Sequence, residues 1–165
     1  MQITKKLLAN GVLAFAMLLN SALPVNACMC YDNCNCSDIN KSEYLSSGAT
    51  SSLHYGGSKN NDHSVYFDFK SISAVSRLNV AVYGISSTNG SYVNCTYNKY
   101  GQSVSSVAVQ RNSRVQIYNN IYETGYRLAG IKVTNMDNSG GTATYAWSPD
   151  YCAGYDQYPL PVAPV

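Results

Sequence analysis

Between residues 64 and 148, apolar side chains return at every second position, in short runs broken by turn-forming residues. In an extended chain successive side chains point to opposite faces, so this spacing gives each run one apolar and one polar face. "HSVYFDFKSI" sets Val65, Phe67 and Phe69 against Tyr66, Asp68 and Lys70, and "RLNVAVYGI" sets Leu78, Val80 and Val82 against Asn79, Ala81 and Tyr83. The same rule groups Val93, Cys95 and Tyr97 in "SYVNCTY", Val107 with Val109, Val115 with Ile117, and Ala143 with Tyr145 and Trp147. In "YRLAGIKVTN" Leu128 falls out of step with Ile131 and Val133, which predicts a bulge near Gly130. No window carries an apolar stripe of helical period.

The spacers agree with this pattern. Asn89-Gly90 lies between two alternating runs, the strongest short-range sign of a hairpin. "QRNSR" and "DNSGGT" are rich in turn formers, and "GGSKNNDH" and "NNIYETG" are longer loops. Seven or eight short strands at close intervals predict an all-β fold, an antiparallel sandwich spanning residues 44–150. One polar face per strand favours two sheets sharing one core. The stretch 151–165 holds Pro159, Pro161 and Pro164, and is expected to run extended, outside any sheet interior.

The N-terminus sets the compartment. "MQITKK" is basic, "LLANGVLAFAMLLNSALPV" is mostly apolar, and "VNA" supplies small residues before a cut after Ala27. This is the layout of a secretory signal peptide over 1–27. Polar breaks at Asn10, Gly11, Asn20 and Ser21 leave the apolar run short of the roughly 20 residues that a membrane span needs. The protein is therefore expected to be secreted, with a mature N-terminus at Cys28.

Residues 28–43 begin with "CMCYDNCNC", and six cysteines occur in all: Cys28, Cys30, Cys34, Cys36, Cys95 and Cys152. Outside the cell an even number of cysteines reads as a disulfide framework of up to three bridges, here with its pairing open. Four thiolates in nine residues also suit a soft metal ion, but C-x-C is tight for structural zinc and an oxidising exterior removes thiols, so no metal site is expected. "VNAC" also allows lipidation of Cys28, which would make the protein a cell-surface lipoprotein, its only route to a membrane. A lipid there leaves five thiols and excludes a third bridge.

Charge and motif content narrow the function. The mature chain carries nine basic and nine acidic residues, too few and too scattered for nucleic acid. His54, Asp62 and His63 bracket a polar loop without a further spaced ligand. No G-x-S-x-G elbow, phosphate loop or dinucleotide fingerprint occurs. Neither Glu43 nor Glu123 shares a local motif with an aspartate, as paired-carboxylate glycoside hydrolysis would use. No catalytic residue, cofactor or enzymatic activity is expected.

Tyrosine is the unusual resource, with 15 in the chain. It suits strands in any case, but its rigid face and polar tip also suit contact with saccharide or protein. Tyr55, Tyr66, Tyr83, Tyr100, Tyr118 and Tyr122 are the binding candidates, on outward strand positions and in loops.

"YRLAGIKVTNMDNSGGTATYAWSPD" and "HSVYFDFK" resemble the closing and early core strands of small secreted proteins of Gram-positive bacteria (Bacillota), grouped as a family of unknown function. More loosely, the chain is similar to lactococcin-type bacteriocins, also small β-sandwiches. The cysteine block and the segment from Cys152 onward have no counterpart in that pattern. Residues and resemblance together imply a secreted, disulfide-stabilised binding protein for a cell-envelope glycan or protein. The alternative they imply is a bacteriocin-like toxin against competing bacteria.

Overall fold

Ten strands and no helix make up the computed structural model, which describes residues 35–70, 74–87, 89–151 and 160–164. In chain order the strands are β1 (Ile39–Leu45), β2 (His54–Ser58), β3 (Val65–Phe69), β4 (Arg77–Ile85), β5 (Tyr92–Asn94), β6 (Thr96–Tyr97), β7 (Val107–Gln110), β8 (Ser113–Asn119), β9 (Leu128–Asn135) and β10 (Gly141–Ser148). They form two sheets of five. The first has the order β1-β10-β3-β8-β6; the second runs β2-β9-β4-β5, with β7 also on β4. Every strand pair is antiparallel.

The alternating residues do what their spacing predicts. Val65, Phe67, Phe69 and Trp147 from the first sheet and Leu78, Val80, Val82 and Val133 from the second are buried in one shared cluster. The arrangement is sandwich-like, as expected. Tyr145 also points inward, and its hydroxyl donates to Glu43 Oε1 at 2.5 Å. Burial, then this bond and the charge behind it, hold that hydroxyl far above the usual tyrosine range.

Three details differ from the sequence reading. "SYVNCTY" is two strands, because the chain crosses between sheets at Cys95: β5 pairs with β4, and β6 pairs with β8. At the crossing the Cys95 amide donates to Val82 O, and the Val82 amide donates to Thr96 Oγ1, so side chain replaces ladder. The bulge lies in β2, between Tyr55 and Gly57, opposite Gly130, while β9 stays in register with β4 from Leu128 to Asn135. Leu128 is out of step because it faces outward, paired with Ile85. Finally, the sandwich begins at Ile39, ahead of the expected start at Tyr44, and β1 and β2 raise the strand count to ten.

The Asn89-Gly90 turn closes β4 onto β5 as expected, with Gly90 at φ 68°, a left-handed conformation that suits glycine. The C-terminal segment is docked more firmly than its prolines suggest. Gln116 N donates to Pro161 O, Ala163 N donates to Gln116 O, and Ala108 N donates to Pro164 O. The two prolines thus supply only carbonyls, the one backbone group they can offer. Residues 160–164 join β8 of one sheet to β7 of the other, and Ala163 enters the core.

Cys95 is not in a bridge. It is a free, buried thiol packed near Gly84 and Tyr126, and burial pushes its pKa up, which makes it inert. Cys36 is disulfide-bonded, and Cys28, Cys30, Cys34 and Cys152 lie outside the described residues. Six cysteines less Cys95 leave five, so at most two bridges form within one chain rather than three. Alkylation of the unreduced protein followed by mass measurement should label Cys95 only after unfolding. A third intramolecular bridge would contradict the assignment.

Candidate binding cleft and the tyrosine sites

At the open end of the first sheet, the short edge strand β6 lies beside the last residues of β8 and pairs Tyr97 with Tyr118 and Thr96 with Asn119. Directly opposed residues of an antiparallel pair share one face. Val115 and Ile117 point into the core, so Tyr118 points out, and Tyr97 stands beside it. The two tyrosines form one wall of a cleft of about 380 Å³. This is within the roughly 300–1,000 Å³ range of small-ligand sites.

Three loops complete the cleft. The β2–β3 loop brings Asp62 and Ser64, the β6–β7 loop brings Gly101, and the turn after β8 brings Asn120 and Glu123. The amides are held in place. Asn120 Nδ2 donates to the Tyr97 hydroxyl at 3.1 Å, and Asn119 Nδ2 donates to the carbonyls of His63 and Ile117. The turn itself is fixed where Thr124 donates from N and Oγ1 to Asn120 O. The cleft therefore offers two aromatic rings, the Asn120 amide and two carboxylates, and among the described residues its lining holds no histidine, cysteine or lysine.

The six tyrosines singled out from the sequence do not form one surface. Only Tyr118 lines the cleft. Tyr66 lies on the outer face of the first sheet, where its hydroxyl donates to Asp68 Oδ2 at 3.4 Å. Tyr100 is 72 % exposed at the tip of the β6–β7 loop, with the Lys99 ammonium 5.0 Å from its ring. The Arg127 guanidinium covers Tyr122 at 4.2 Å. Tyr55 and Tyr83 both pair with Gly130, so they flank β9 on the outer face of the second sheet. There Tyr83 meets Tyr92 edge-on at 5.3 Å, and Lys132 Nζ donates to the Tyr92 hydroxyl at 3.1 Å.

Tyr97, Asp62 and Glu123 belong to the cleft but carry no sequence signal for it. Tyr97 looks inward by parity until the crossing at Cys95 resets the alternation. Asp62 and Glu123 lie 61 positions apart and meet only through the fold. The two histidines have other surroundings: His54 Nε2 lies 2.9 Å from Glu43 Oε1, and the His63 carbonyl accepts from Lys59 and Asn119. Among the described residues no group of three or more His, Cys, Asp or Glu is placed to hold a metal ion.

No curated protein matches the chain. A family match covers residues 27–151 and carries the description "protein of unknown function", with no bacteriocin among what it shows. The match takes in more than half of the chain, both sheets and the whole cleft, and the protein therefore belongs to this family, DUF2712.

Proposed function

We propose that the protein is a secreted, non-enzymatic binding module whose cleft takes a glycan of the cell envelope. The observation that carries this reading is the Tyr97–Tyr118 wall beside the fixed Asn120 amide and the Asp62 and Glu123 carboxylates. A sugar ring presents an apolar C–H face and a rim of hydroxyls. Tyrosine rings suit the first, while amides and carboxylates suit the second. A cell-envelope protein partner, the broader expectation, would use the same rings without the need for a cleft. Export rests on the leader-like sequence of residues 1–27. With Cys95 free, five cysteines remain and one stands outside the bridges; if that one is Cys28, a lipid there would anchor the module.

The test is co-sedimentation of the mature protein with insoluble cell-wall glycan. Tyr118→Ala and Tyr97→Ala should each weaken retention about tenfold, roughly 1.4 kcal/mol and near the upper end for one aromatic contact. Tyr55→Ala, on the other sheet, should leave retention unchanged. Equal retention by all three variants would remove the cleft from the mechanism. Release of reducing sugar ends by the wild-type protein would overturn the non-enzymatic part of the reading.

A further inference from the structure

Lys59, just after β2, and Asp150, just after β10, meet where neither side chain has any exposure to solvent. Lys59 Nζ lies 2.5 Å from Asp150 Oδ1 and also donates to the carbonyl of His63. The second carboxylate oxygen, Oδ2, accepts from two backbone amides, Asn35 N at 2.7 Å and Asn60 N at 3.2 Å. An ammonium group has three hydrogens to place. Among the described residues only these two acceptors receive them. A buried ion pair is stable only when all its remaining hydrogen bonds are satisfied. This setting instead supplies the partners of an amide: one acceptor for an N–H, and two donors for a carbonyl oxygen.

We propose that Lys59 and Asp150 condense into an intramolecular isopeptide bond that ties the second sheet to the first. A proton passes from Nζ to Oδ1 along their contact, giving a neutral amine and a neutral carboxylic acid. Removal from water favours this neutral pair, and burial accordingly lowers the pKa of Lys59 despite the carboxylate beside it. The Nζ lone pair then adds to Asp150 Cγ, and the C=O electron pair moves onto Oδ2. There the Asn35 and Asn60 amides face the developing oxyanion as preorganised donors. A second proton leaves Nζ for Oδ1, the Cγ–Oδ1 bond breaks, and the C=O bond re-forms at Oδ2. One water molecule is lost and no redox partner is needed. In the product the remaining N–H still donates to the His63 carbonyl, and the carbonyl oxygen keeps both backbone amides.

The proposal does not depend on what the cleft binds, and its test is separate. The exported protein, reduced and alkylated, should weigh one water less than its sequence. Its peptide map should contain a branched peptide joining the segment around Lys59 to that around Asp150, with trypsin failing to cut after Lys59. Lys59→Arg, which keeps the positive charge, and Asp150→Ala should each restore the full mass. The wild-type measurement decides the matter even if a variant fails to fold. Full mass with cleavage after Lys59, or a water loss mapped to another place in the chain, overturns the proposal.

Discussion

Gly56→Ala destabilises the protein by about 3 kcal/mol, the upper end of what overpacking a core costs, with the loss appearing as a lower midpoint in denaturant unfolding. A β-carbon at Gly56 would stand 2.1 Å from Trp147 Cη2 and 2.6 Å from Cζ3, far inside van der Waals contact. The indole cannot step aside, because Trp147 is wholly buried in the centre of the cluster that joins the sheets. The bulge between Tyr55 and Gly57 lets the edge strand β2 pass over the ring, and the missing side chain at Gly56 makes the space. Trp147→Phe, which removes the outer ring atoms, should recover part of the loss in the double variant even though it costs stability alone. This non-additivity is the mark of two residues sharing one space. A Gly56→Ala protein within 0.5 kcal/mol of wild type would show that the strand and ring are not so close.

Asp150→Ala is the second large effect, with an expected loss of about 3–5 kcal/mol. It leaves the Lys59 nitrogen buried with only the His63 carbonyl, and it frees the amides of Asn35 and Asn60 from their shared acceptor. Replacing both partners by apolar residues of similar size, Lys59→Met with Asp150→Leu, should cost much less than Asp150→Ala alone. Breaking a buried pair is expensive, whereas removing both halves of it often is not. Denaturant midpoints for the single and double variants measure the difference. Equal losses in the two would mean that the site contributes through what both variants lack, the proposed cross-link or the backbone hydrogen bonds to Asp150, rather than through the charge pairing.

The core was legible in the sequence because it is built from one rule. Val65, Phe67, Phe69, Leu78, Val80, Val82, Val107, Val109, Val115 and Ile117 all point where alternation puts them. What the sequence hid was structure that polar or absent side chains specify. The inward side of β1 includes Lys41 and Glu43, and Glu43 is justified only by Tyr145 and His54 reaching it from other strands. β2 reads "HYGGS" and has no apolar pattern, since Trp147 occupies the space its side chains would fill. Lys59 and Asp150 carry no motif or spacing that marks them, yet they form a fully buried pair. The cleft is harder still: Tyr118, a loop residue by the sequence reading, lies at an outward position of β8, and Tyr97, Asp62 and Glu123 reach it through a sheet crossing and two loops.

The docking of residues 160–164 imposes an order on assembly. Everything from Ile39 to Ser148 is synthesised before the piece that satisfies the Gln116 and Ala108 amides. A nascent or truncated polypeptide that stops short of Leu160 therefore displays raw strand edges on β7 and β8, the kind of template that recruits a neighbouring molecule. Completing these two edges thus hinges on two late-arriving prolines and one alanine. Shortened forms should accumulate as oligomers, while the completed chain stays apart from its copies.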